Sequence, residues 1–131
     1  MKAPVFLTLE QIQYIQECEM SLTKGISTLR NEKGLKAATA APQATYNSKY
    51  LMNLFEMAAT YITSISIHHP YLDGNKRTAA GSAITFLLIN GYQLNENYPE
   101  ELADIILEFL KNKITKDDLA IYFETNCIKL K

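Results

Sequence analysis

The residues best suited to chemistry stand close together, in His68-His69-Pro70-Tyr71-Leu72-Asp73-Gly74-Asn75-Lys76-Arg77-Thr78. Histidine can take a proton from a hydroxyl near neutral pH. A carboxylate such as Asp73, set beside phosphates, commonly holds Mg²⁺. Lys76 and Arg77 fall in the first turn of a helix expected to start near Asn75, where the helix dipole disfavours cations by roughly 0.3–1 kcal/mol each. Backbone N–H groups point out of that turn, and Gly74 lets a ligand approach the backbone closely. Asn75 is a good N-cap and a neutral donor and acceptor. Two arrangements fit these residues. Either an anion, most commonly phosphate, binds where dipole, donors and cations converge, or Lys76 and Arg77 turn into solvent or toward distant carboxylates. In the first case, base, metal carboxylate and anion cradle form a set that could move a phosphorus-centred group. Of the neighbours, His68 fits a structural role, and Tyr71 reads as an aromatic plug fixing the loop to the core, with substrate contact the alternative. A His-Asp metal-dependent phosphohydrolase does not fit, because it needs an adjacent His-Asp pair and further ligands, and this chain has only 2 histidines, side by side.

Mostly helical elements must position this loop. Thr8 and Gln11 match a capping box, and Leu9, Ile12, Ile15 and Leu22 mark a helix from about Thr8 to about Leu22. Residues 26–40 read as one or two short helices broken around Gly34. From Pro42 to Ser48, proline and turn-forming residues flank Thr45 and Tyr46, which favour extended structure, giving an exposed flap of hairpin type. Leu51, Leu54, Phe55, Ala58, Ile62 and Ile65 predict a helix from about Lys49 to about Ile67, ended by His69-Pro70. The helix from Asn75 to Gly91 is apolar on nearly every side, as expected of the buried centre of a fold. Pro99 opens another helix, with Leu102, Ile105, Ile106, Phe109 and Leu110 facing inward. Thr115 caps a last one carrying Leu119, Tyr122 and Phe123. The flap is the only strand candidate, so the class is all-α.

Composition narrows the function. The 131 residues suit one domain, taken as 1–131. With 47% hydrophobic and 21% charged residues the chain has an ordinary globular make-up. A formal net charge of -1 gives poor electrostatic grounds for direct nucleic-acid binding. No apolar run is long enough to span a membrane, and the N-terminus lacks a secretory apolar stretch. Cys18 and Cys127 form no CxxC pair and read as packed thiols in a reducing cytoplasm.

The segment HPYLDGNKRTA resembles the signature loop of the Fic/Doc (Fido) family, His-Pro-Phe-x-Asp/Glu-Gly/Ala-Asn-Gly/Lys-Arg, with Tyr71 in place of the usual Phe. Leu29-Arg30-Asn31-Glu32-Lys33-Gly34-Leu35 and Ala41-Pro42-Gln43-Ala44-Thr45-Tyr46 are similar to the family's upstream Arg-Asp-x-x-Leu segment and flap. Phe86-Leu87-Leu88-Ile89-Asn90-Gly91-Tyr92 is similar to its Phe-Leu-x-x-Asn-Gly-Tyr segment. The likeness runs over residues 5–125. It implies the compact helical Fido fold of about six helices with a short β-hairpin flap. Lys76, where AMP-transferring members usually have Gly, and Ala80, where they usually have a second Arg, resemble the death-on-curing (Doc) branch. In that branch the Doc toxin is a protein kinase that phosphorylates a threonine of the translation factor EF-Tu. The resemblance therefore implies transfer of the γ-phosphoryl group of ATP to a protein hydroxyl. AMP transfer on the same scaffold and a non-catalytic binding module are the alternatives.

Carried onto this chain, the resemblance implies His69 as general base. Asp73 would hold Mg²⁺ or orient the target hydroxyl. The backbone N–H groups of Gly74 and Asn75 would form an anion hole, assisted by the Asn75 side chain. Lys76 and Arg77 would neutralise phosphate charge. Thr45 and Tyr46 would clamp the target peptide as an added strand. Arg30 has a structural or a target-side role. Lys36-Ala37-Ala38 lacks the acid of the family's Gly-Leu-Leu-Glu-Ser-Ala. Thr28 to Glu32 has the spacing of the family's inhibitory motif, but Lys33 follows, so no built-in inhibitor is read. The partner implied instead is a separate antitoxin.

Overall fold

The computed structural model describes residues 3–23, 28–95 and 98–130. Among them run six α-helices: α1 Leu9–Thr23, α2 Glu32–Ala40, α3 Leu54–His68, α4 Asn75–Ile89, α5 Tyr98–Leu110 and α6 Lys116–Asn126. Two short antiparallel strand pairs accompany them, β1 Thr45–Tyr46 with β2 Lys49–Tyr50 and β3 Tyr92–Leu94 with β4 Cys127–Lys129. This is the helical Fido-type architecture that the resemblance implies. No helix among the described residues is long and apolar enough to cross a membrane.

Side-chain caps set several helix ends. Thr8 Oγ1 accepts from Gln11 N at 3.1 Å while Gln11 Oε1 accepts from Thr8 N at 2.8 Å, which completes the expected box ahead of α1. Asn53 with Glu56 starts α3, and Thr115 with Asp118 starts α6, in the same way. The α3 box explains a shift from expectation. Lys49 and Tyr50 pair back on the flap as β2 instead of opening the helix, with Asn47 and Ser48 at positive φ in the connecting turn. Leu51 then lies outside α3 and is exposed.

Other expectations are corrected. The expected break at Gly34 is absent, since Gly34 lies inside α2; residues 26 and 27 fall outside the described residues. A Cβ there would lie 2.9 Å from Asn31 Cγ and 3.2 Å from His68 Cβ, so this glycine serves the close approach of α2 to the end of α3. Leu22 and Leu110 are exposed; Gln16 and Met20 are the buried residues of the last two turns of α1. The flap is not the only strand structure, because β3 and β4, far apart in sequence, also pair.

The buried centre is α3, not α4. Every residue from Met57 to Ser66 is buried, and α3 packs against α2, α4 and α6. α4 packs one face on α3 and another on α1 but leaves Leu88 and Ile89 exposed, and Ala80, Gly81, Ile84 and Thr85 line an open groove toward α5. Small residues make α4 apolar on all sides without filling the space around it. Of the cysteines, Cys18 is exposed rather than packed, and Cys127 is half-buried; both are free thiols. Burial pushes the Cys127 thiol up to about 11.

Candidate active site

The loop between α3 and α4 is tied down from three directions. His69 is the C-cap of α3, in the left-handed region at φ 50°, and its N–H donates to Ile65 O at 3.0 Å. From the segment before α2, Arg30 N and Asn31 N both donate to Pro70 O, at 2.7 and 2.9 Å, and Leu29 bridges Tyr71. From α1, Gln16 Nε2 donates to Asp73 O at 3.4 Å. Met20 packs on Gly74, where a Cβ would fall 2.2 Å from Met20 Cε; with φ at +78°, glycine is the residue that fits.

Inside the loop, Tyr71 is fully buried, as expected of a plug. Its phenol has no hydrogen-bond partner among the described residues, and burial, with the charge of Glu17 adding, pushes it up to about 12. Asn75 is not the N-cap; Gly74 holds that position. The buried Asn75 side chain turns back instead. Its Oδ1 accepts from Tyr71 N at 3.0 Å, and its Nδ2 donates to Tyr71 O at 2.9 Å while lying 3.2 Å from His69 Nδ1.

His69, Asp73, Gly74, Asn75 and Lys76 line one pocket of about 420 Å³, together with Ser66, Leu72 and Leu110. It opens at the N-terminus of α4. Thr78 N is bonded to Gly74 O at 2.9 Å, so the amides of Asn75 and Lys76, ahead of it, have no acceptor within the helix. Gly74 N donates to Asp73 Oδ1 at 2.8 Å, so the chain's own carboxylate now sits at the amide expected to face a ligand. Lys76 is exposed, and no acid pairs with it among the described residues. It also lines a larger groove of about 510 Å³ between α4 and α5, shared with Arg77, Ala80 and Ile106. Arg77 is half-buried there and does not line the smaller pocket. Thr45 and Tyr46 stand exposed on the flap and line neither cavity.

Arg30 is the residue whose role the sequence leaves open. Its Nη2 lies 2.8 Å from His69 Nδ1. The two positions are 39 residues apart, so no local pattern points to the contact.

Chemically, the pocket combines an imidazole, a carboxylate and helix amides beside an exposed ammonium, an arrangement suited to phosphate oxygens and a nearby hydroxyl. Residues 6–87 match the Fic/DOC family. The chain belongs to that family. It is similar to the Toxin Doc of Mycolicibacterium smegmatis, with 42% identity over 74 residues, 56% of this chain and 57% of that protein. It is also similar to the Protein kinase doc of Escherichia phage P1, with 29% identity over 111 residues, 85% of this chain and 86% of that one. The match to the toxin thus spans little more than half of that relative's length.

Proposed function

We propose that this Fic/DOC chain is a Doc-type transferase that moves the γ-phosphoryl group of ATP to a serine or threonine hydroxyl of a target protein. The observation that carries the proposal is the shared pocket of His69, Asp73, Gly74, Asn75 and Lys76 at the start of α4. Two similar proteins, one called a toxin and one a protein kinase, support it. EF-Tu is the target by resemblance to the branch, and an antitoxin protein and a cytoplasmic setting belong to the same reading.

In this mechanism the hydroxyl oxygen bonds to the γ-phosphorus, its proton passes to His69, and ADP leaves with the electrons of the broken P–O bond. Lys76 neutralises charge on the transferring phosphate from the pocket, and Arg77 does so from the adjoining groove. The helix amides hold phosphate oxygens once the Asp73 carboxylate leaves Gly74. Thr45 and Tyr46 take the target peptide at the flap edge. Among the described residues, no three His, Cys, Asp or Glu side chains are grouped to hold a metal. Asp73, which lines the pocket, is the residue that would hold Mg²⁺. Mg²⁺ held there would supply neutralising charge to the phosphates.

Ala80, in the groove where AMP-transferring relatives usually carry a second Arg, favours γ- over α-phosphate transfer. The test is incubation with candidate targets and ATP labelled at the α- or γ-phosphate. Label from the γ-position alone is expected, and label from the α-position alone overturns the kinase reading. His69→Ala should abolish transfer with the fold intact, and His68→Ala should do much less. Equal loss from both would show that the base is misassigned.

A further inference from the structure

Neutral imidazole carries one N–H and one lone pair. The partners of His69 decide which nitrogen holds which. Arg30 Nη2, 2.8 Å from Nδ1, can only donate, and Asn75 Nδ2, 3.2 Å from the same atom, is also a donor. Nδ1 is therefore the bare acceptor and Nε2 carries the proton. The one lone pair able to receive a proton from a hydroxyl is the one that both side chains cover, Arg30 at the shorter distance.

The geometry points to Arg30 as a positioning residue that fixes the tautomer of His69 and occupies the place the target hydroxyl must take. The inference rests on the reading of His69 as the base. The hydroxyl reaches Nδ1 by displacing the guanidinium, so Arg30 competes with the protein substrate. The backbone around Arg30 is anchored independently of its side chain, through Arg30 N and Asn31 N to Pro70 O and through Leu72 N to Thr28 O. The guanidinium can leave Nδ1 without undoing the loop.

Two measurements test this, and only one depends on turnover. In the intact, ¹⁵N-labelled protein, the ring nitrogens of His69, assigned by comparison with His69→Ala, should show Nδ1 as the unprotonated type and Nε2 as the protonated type. Arg30→Leu should move the Nδ1 signal toward that of free imidazole, and Arg30→Lys, which keeps a cationic donor, should restore it. A protonated Nδ1 in the wild-type chain overturns the inference, as does a signal that Arg30→Leu leaves in place. In the transfer assay, Arg30→Leu should lower KM for the protein target severalfold and leave KM for ATP unchanged. A loss of transfer in Arg30→Leu, with KM for the target unchanged, also overturns it. If the wild-type chain transfers nothing from ATP, the proposed function fails, while the nitrogen spectra still decide the role of Arg30.

Discussion

Asn75 grips both backbone groups of Tyr71, accepting from its N–H at 3.0 Å and donating to its carbonyl at 2.9 Å. Both groups are buried, so a variant that removes the amide leaves two polar atoms without partners. Each such atom costs about 1–3 kcal/mol. Asn75→Ala should therefore lose on the order of 2–4 kcal/mol in urea unfolding, with no ligand present. A loss near zero would mean that the loop is held from outside, by the segment before α2 and by α1.

Tyr71 gives the opposite expectation. Its buried hydroxyl has no partner among the described residues. Tyr71→Phe keeps the ring in place and removes an uncompensated polar atom. Thermal unfolding should show a Tm equal to or above that of the wild-type chain, by up to about 2 kcal/mol in stability. A clear drop in Tm would show that the hydroxyl has a partner in solution.

Lys76 should separate stability from activity. It sits in the first turn of α4, where its charge opposes the helix dipole. Lys76→Ala should raise stability by roughly 0.3–1 kcal/mol. The same change should lower γ-phosphoryl transfer by about 10²-fold, as removal of a charge-stabilising donor does elsewhere. The two effects are read by denaturant unfolding and by the labelled-ATP assay. Parallel losses in both would mean that Lys76 supports the fold rather than the phosphate.

The two thiols should react at different rates. Cys18 is exposed, whereas Cys127 is half-buried with its thiol pushed up to about 11. The thiolate is the reacting form, and a raised pKa leaves little of it at pH 8, so Cys127 should be alkylated slowly. Raising the pH toward 11 should speed its reaction. Mass spectrometry of the iodoacetamide-treated protein should show a fast single addition that Cys18→Ser removes. Two equally fast additions at pH 8 would contradict the burial of Cys127.

Local sequence was enough for much of this molecule. Thr8 with Gln11 and Thr115 mark helix starts that the structure keeps, because a cap satisfies amides a few residues away in the chain. The residue types of the 68–78 loop, and its resemblance to a known signature, point to the family without reference to packing. Tertiary structure decided the rest. Apolar periodicity tells which face of a helix is buried but not what lies against it, so α3 and not α4 proved to be the centre. The pairing of β3 with β4 depends on two segments brought together across the α5 and α6 helices between them. Arg30 reaches His69, and Asn75 turns back onto Tyr71, through contacts that only the folded chain makes. Hydrogen-bond partners are set by where side chains meet in space, and spacing along the sequence records those meetings only when they fall within a turn or two.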